Sequence, residues 1–230
     1  MSIALKLTWV FLFVIIALLI SFLKDKKATN RKIIFFGDSL TQAGAQLGGY
    51  IALIRDILLH QEINNIELTG AGIGGNKVYD LYLRMHEDVI AQSPDIVVIW
   101  IGINDVWHKH TRNTGTDADK FEKFYRAIVH ELQSRKIKVT VVTPSVIGEK
   151  NDRTNNQDND LDDYAQVIRN IAADSDLALC DMRMLFHLYE VNNNTTNADK
   201  GILTTDGVHL NEAGNKFVAE EMWKVLKDIS

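Results

Sequence analysis

Apolar residues along this chain fall into two alternating patterns. Ile33-Ile34-Phe35-Phe36 is an unbroken apolar run ending at Gly37, readable as a buried strand. Ile51, Ile54 and Leu58 then recur at helical spacing. Ile66 to Thr69 forms a second, weaker strand pattern before a glycine cluster. Val78, Leu81, Tyr82, Met85 and Val89 line one face of a helix. Pro94 precedes Asp95-Ile96-Val97-Val98-Ile99-Trp100, the strongest strand pattern present. Phe121, Phe124, Tyr125, Ile128 and Leu132 mark another amphipathic helix, and Lys138 to Val142 a fourth strand closed by Pro144. Leu161, Tyr164, Ala165 and Ile168 give a helix, Leu177 to Cys180 a short fifth strand, and Val218, Met222, Val225 and Leu226 a last helix. Apolar strands alternating with amphipathic helices predict a parallel sheet covered on both faces. The expected fold is α/β: a single flavodoxin-like three-layer α/β/α domain over residues 31–230 with about five strands. Active residues then belong at the carboxyl ends of the strands. The polar stretches Asn151–Asp160 and Asn192–Asn197 read as surface loops.

The first 27 residues follow a different pattern. Leu7 to Leu23 are 17 uncharged residues between Lys6 and Lys24, about 25 Å as a helix and near the lower limit for crossing a bilayer. No small-residue cleavage pattern follows, so an uncleaved N-terminal hydrophobic helix, a membrane anchor, is favoured over a signal peptide. The basic residues after the segment argue for a cytoplasmic domain, whereas export is the commoner use of such a leader. The reading taken is an exported, membrane-anchored domain, periplasmic or extracellular, or a secreted one if the leader is cleaved.

Composition adds limits. Net charge is −5 overall. Residues 1–30 carry +3 (four lysines against Asp25), which leaves −8 on the remainder. An acidic domain with no basic run argues against nucleic acid as a partner. Cys180 is the sole cysteine, so no intrachain disulfide and no thiolate metal cluster can form.

Chemistry-bearing residues sit in loops beside these elements: Gly37-Asp38-Ser39-Leu40, Gly70-Ala71-Gly72-Ile73-Gly74-Gly75-Asn76, Gly102-Ile103-Asn104-Asp105, and Asp206-Gly207-Val208-His209 before the last helix. In these four blocks, in this order, the chain resembles the SGNH/GDSL hydrolases, a family of serine esterases and lipases. The resemblance spans nearly all of the domain after Ile33. It implies Ser39 as nucleophile, His209 as general base and Asp206 as its orienting carboxylate, with an oxyanion hole from the Ser39 and Gly75 amides and the Asn104 side chain. A serine hydroxyl is a weak nucleophile without an adjacent base. An aspartate three residues before the histidine can reach the imidazole within one turn. A glycine at 75 allows close backbone approach to a reacting oxygen. Gly70 stands where the family often has asparagine.

The implied activity is hydrolysis of a small acyl ester, a glycan or lipid substrate, without cofactor or metal. Two alternatives remain: acyl transfer to a sugar hydroxyl by the same triad, and a tethered ligand-binding domain without activity. Each block also has an ordinary reading, since Ser39 or Asp206 could cap a helix and Asn104-Asp105 could form a turn. The glycine cluster matches G-x-G-x-x-G, but no acidic residue closes the next strand to hold a ribose. Asp158, Asp160, Asp162 and Asp163 lack the glycine and glutamate of a calcium loop and read as a solvated helix start. His108 and His110 are expected on a loop, at the surface or lining the substrate site. Trp107, Tyr50 and the segment around Val146 are candidates for the pocket wall.

Overall fold

The structure, a computed structural model, describes residues 30–229. The expected anchor or signal segment at 1–27 lies outside them. Among the described residues no helix is long and apolar enough to cross a membrane.

Five strands, β1 (Arg31–Gly37), β2 (Ile66–Gly72), β3 (Ile96–Trp100), β4 (Lys138–Val142) and β5 (Ala178–Cys180), form one sheet in the order β2-β1-β3-β4-β5. Every neighbouring pair is parallel. Ile33 to Phe36 have no solvent exposure, as the unbroken apolar run requires of a strand covered on both sides. The helices are α1 (Ser39–Gly44), α2 (Tyr50–His60), α3 (Val78–Asp88), α4 (Ile103–Arg112), α5 (Ala118–Ser134), α6 (Asp158–Asp174), α7 (Met182–Asn193) and α8 (Glu212–Leu226). α2 packs with α8 over one face, while α3, α5 and α6 form the layer on the other. This division follows from right-handed crossovers in a doubly wound sheet. The strand order reverses between β1 and β3, whose carboxyl ends are aligned by the pairing of Gly37 with Trp100. That reversal opens the crevice where such folds gather functional groups.

Several expectations need correction. β2 does not stop at Thr69 but continues through Gly70-Ala71-Gly72. These small residues let α1 lie on the strand: a Cβ on Gly72 would come within 2.1 Å of the Gln42 backbone nitrogen. Their role in the glycine-rich pattern is close packing. Tyr82 stands at the rim of its helix face, 38% exposed. Helices α1, α4 and α7 were not expected. The inner face of α4 carries Asn104, Asp105 and His108 among its buried residues, and that of α7 carries Arg183 and Glu190. A buried face made partly of polar residues produces no apolar periodicity.

The acidic run begins α6, and Asp163 is exposed as expected of a solvated helix start, but the run is not solvated throughout. Asp158 is buried, and its Oδ1 accepts from Arg183 Nη2 at 2.7 Å while Asp162 Oδ1 accepts from Arg183 Nε at 2.7 Å. These two carboxylates neutralise a buried guanidinium. Asn192 and Asn193 end α7, and Asn194, expected on the surface, is fully buried.

Candidate active site

β1 ends in a sharp exit. A Cβ on Gly37 would sit 2.4 Å from the Trp100 carbonyl oxygen, so only glycine allows the chain to pass β3 here. Asp38 caps α1 by accepting from the Leu40 amide at 3.0 Å. Ser39 is therefore the first residue of the helix and not its cap, and its own N–H is among those a helix leaves without an intrahelical partner.

Asp206 and His209 ride on a small hairpin. Thr204 and Leu210 form an isolated antiparallel bridge, the Thr205 amide donates to the His209 carbonyl at 2.8 Å, and Gly207 takes a positive φ of 95° at the bend. Asp206 Oδ1 accepts from the Val208 amide at 3.0 Å and the His209 amide at 2.8 Å. Its Oδ2 lies 2.8 Å from His209 Nδ1. Burial alone would raise the Asp206 carboxyl. The hydrogen bonds from the His209 ring, the His209 amide and the Val208 amide outweigh it and hold the group below the usual carboxylate range. The other ring nitrogen, Nε2, lies 3.1 Å from Ser39 Oγ. Residues 170 positions apart thus form one hydrogen-bonded chain. The His209 and Asp206 side chains are 39% and 49% exposed, so a solute can reach them. Asp206 does not cap the last helix. Asn211 does, accepting from the Gly214 amide at 2.8 Å.

The other two expected residues lie at the same edge. A Cβ on Gly74 would sit 3.8 Å from the Ser39 Cβ, which puts the Gly74-Gly75 turn beside the serine. Gly75 has φ +80°, and a Cβ there would meet nothing nearer than His108 Cε1 at 4.0 Å. Glycine suits this position because the left-handed backbone conformation disfavours an L side chain. Asn104 lies in the first turn of α4, where its Nδ2 donates to the Asn76 carbonyl at 3.1 Å and to Asp38 Oδ2 at 3.4 Å. The second contact is long enough to be given up to a better acceptor.

Three further groups hold these parts, and no local motif announced them. Arg84 Nη2 donates to the carbonyls of Gly37 at 2.8 Å and Ala71 at 3.0 Å, while Nε donates to Asn76 Oδ1 at 2.7 Å. It fastens the ends of β1 and β2 to the residue beside Gly75. Glu149, fully buried, accepts from the amides of Ile202 at 2.8 Å, Leu203 at 2.5 Å and Thr204 at 2.9 Å. It anchors the segment leading into the hairpin, and Asn194 Nδ2 donates to the Glu149 carbonyl at 2.7 Å. Finally, burial pushes the carboxyls of Asp38 and Asp105 up to about 7; Asp38 Oδ2 accepts from Asn104 Nδ2, and the Asp105 carboxylate accepts from the Val78 amide at the start of α3.

His108 and His110 belong to α4, not to a loop. His108 is buried with Nδ1 lacking a partner; burial, then the charges of Lys77 and Arg112, hold its imidazole below the usual range. His110 Nε2 lies 2.9 Å from Asp160 Oδ2 at the surface. Among the described residues no group of three or more His, Cys, Asp or Glu side chains is arranged to hold a metal ion.

A cavity of about 450 Å³ opens from the hairpin beside Asp206 and Val208, with Trp107 in its wall. The Trp107 ring meets the His209 ring edge-to-face at 6.2 Å. Tyr50 does not line it: it is a core residue whose hydroxyl donates to Thr41 Oγ1 at 3.2 Å. The segment around Val146 does line it: Val146 itself is buried, and its neighbours Ile147 and Gly148 form part of the wall.

Comparison with known proteins gives consistent likenesses. The sequence pattern of the GDSL-like Lipase/Acylhydrolase family matches residues 35–217. The chain is 31% identical over 214 residues to an acetylxylan esterase of Geobacillus stearothermophilus, covering 84% of this chain and 93% of that one. Among solved structures, the acetyl xylan esterase AlAXEase superposes with a TM-score of 0.83 at 55% identity, covering 84% of this chain and 98% of that one. Axe2, an acetylxylan esterase from Geobacillus stearothermophilus, gives 0.75 at 29% identity, with 86% and 94% covered.

Proposed function

The chain belongs to the GDSL-like lipase/acylhydrolase family, and on that footing we propose that it is a carboxylic ester hydrolase that removes acetyl groups from carbohydrate through an acyl-enzyme on Ser39. The hydrogen-bonded chain Asp206–His209–Ser39, at 2.8 Å and 3.1 Å, carries this reading. The resemblance to two acetylxylan esterases supports the substrate class.

In this reading Ser39 Oγ attacks the ester carbonyl carbon as its proton passes to His209 Nε2. Asp206 holds the imidazole with Nε2 free to accept and stabilises the imidazolium that forms. Negative charge develops on the carbonyl oxygen, where the Ser39 and Gly75 amides and Asn104 Nδ2 donate to it. Collapse breaks the bond to the sugar oxygen, which takes the proton from Nε2 and leaves as the alcohol. Water then attacks the acetyl-serine, giving its proton to His209, and acetate departs with the serine oxygen reprotonated. The site lies at the switch of a flavodoxin-like sheet, where rigid strand ends hold these groups in place.

Release of 4-nitrophenol from 4-nitrophenyl acetate by the full chain tests the reaction. Wild type is expected to be active and Ser39→Ala to lose about six orders of magnitude in kcat. Equal rates in the two would refute the assignment, as would failure of a fluorophosphonate to label Ser39. The Leu7–Leu23 segment is proposed as a membrane anchor that exports the domain. Recovery of the full chain in the soluble fraction would overturn that.

A further inference from the structure

The departing alcohol must receive its proton from His209 Nε2, so the alcohol leaves on the histidine side of Ser39, away from the oxyanion donors. Two depressions flank the hairpin that carries His209. One is the cavity at Asp206 and Val208, walled by Trp107, Lys150, Asn156 and Asp199 among others. The other is a more apolar groove touching Thr205 and Leu210, with Ala43, Leu47 and Leu53 opposite.

The first has the chemistry of a sugar site. Trp107 presents a large half-buried ring directly against the His209 imidazole, at 6.2 Å between centroids. The Asn156 and Asp199 side chains are exposed and that of Lys150 is half-buried, and none of the three takes part in a hydrogen bond or ion pair within the described residues. An amide, a carboxylate and an ammonium without partners among the described residues line the same cavity as this aromatic wall. Pyranose rings offer that wall an apolar face and offer the polar groups a set of hydroxyls. An acyl chain in the same place would strip water from Lys150 and Asp199 and return nothing.

We propose that this cavity is the leaving-group subsite, that it holds the pyranose chain bearing the acetyl ester, and that Trp107, Asn156 and Asp199 determine its affinity. The proposal rests on the esterase reading above. It goes further in placing the sugar on one side of the hairpin, while the Leu47 groove stays outside the binding path.

The test uses the deacetylated product as a probe. Xylotriose, and separately cellotriose, is titrated into 4-nitrophenyl acetate hydrolysis by the full chain. Competitive inhibition by at least one of them is expected, with the inhibition constant raised about tenfold by Trp107→Ala and by Asn156→Ala but not by Leu47→Ser. Two variants in different elements guard against misfolding of one. Inhibition by neither sugar, equal inhibition of all variants, or an effect of Leu47→Ser alone would overturn the subsite while leaving the esterase reading intact. Absence of 4-nitrophenyl acetate hydrolysis in wild type would instead sink the reading beneath it.

Discussion

Glu149 never touches the reacting atoms, yet the hairpin carrying Asp206 and His209 hangs from it. Its carboxylate accepts three consecutive amides, those of Ile202, Leu203 and Thr204, in a fully buried setting. A buried amide left without a partner costs about 1–3 kcal/mol. Glu149→Ala orphans all three, a loss of about 3–9 kcal/mol against a domain stability of about 5–15 kcal/mol. That variant would be largely unfolded and uninformative. Glu149→Gln is the sharper perturbation. Its remaining oxygen can still serve Leu203 and Thr204, but its amide nitrogen faces the Ile202 N–H, donor to donor. One bond is lost and two charge-assisted bonds become neutral, together about 2–4 kcal/mol. Urea unfolding should show that loss as a lower midpoint at unchanged slope. The same change should lower kcat for 4-nitrophenyl acetate by about 10²-fold with KM nearly constant, because a shift of about 1 Å in a catalytic group has that effect. Glu190→Gln is the control. Glu190 is buried, and burial together with the charge of Glu149 pushes its carboxyl up to about 8. At neutral pH it is mostly the neutral acid, which glutamine copies, so its midpoint should move little. A Glu149→Gln protein with wild-type midpoint and wild-type kcat would refute the argument that this carboxylate holds the hairpin.

Other expectations follow from the same geometry. Gly75→Ala meets open space but needs φ +80°, a cost of about 1–2 kcal/mol for an L-residue; kcat should drop about 10²-fold as the amide turns away, and an unchanged kcat would remove Gly75 from the oxyanion hole. Arg183→Met leaves Asp158 buried without its counter-ion, and urea melts should show a loss of about 3–5 kcal/mol; a loss below about 1 kcal/mol would mean that the pair is dispensable. Stability should also depend on pH. Asp38, Asp105 and Glu190 have folded-state carboxyls raised by burial to about 7, 7 and 8. Between about pH 4 and 8 the folded chain therefore holds more protons than the unfolded one, and these three groups make stability fall as pH rises. Asp206, whose carboxyl is lowered, acts oppositely, its contribution disappearing as pH falls below the usual carboxylate range. Asp105→Asn should flatten the decline on the alkaline side in urea melts run from pH 5 to 8. An unaltered slope would contradict the burial argument.

Much of this molecule could be read from local pattern. The central strands stood out because a strand covered on both sides must be apolar throughout, as Ile33 to Phe36 and Ile96 to Trp100 are, whereas the edge strand β2, with Glu67 exposed, was legible only in part. Helices α2, α3, α5, α6 and α8 were visible because each buries one apolar stripe against the sheet. The four motif blocks were visible because the groups proposed for the reaction cluster in short segments, three after strands and one before the last helix, and the structure brings Ser39, Asp206 and His209 into contact.

What escaped the reading were the places where burial is polar. The α4 helix hides Asn104, Asp105 and His108 beneath its surface, and α7 hides Arg183 and Glu190. Such residues look like loop or surface positions until their partners are known. Arg84, Glu149 and Asn194 each reach groups distant in sequence: Arg84 bonds a carbonyl 47 residues away, Glu149 bonds amides 53 to 55 residues away, and Asn194 bonds a carbonyl 45 residues away. Spacing along a chain records periodic burial and short turns, which depend on near neighbours. It does not record which far segment supplies a counter-charge or an acceptor. The sequence by itself thus determined the sheet, its covering helices and which side chains are proposed to react. Only the folded arrangement decided how those side chains are held, which glycines serve packing and which serve backbone conformation, and on which side of the hairpin a polar cavity opens.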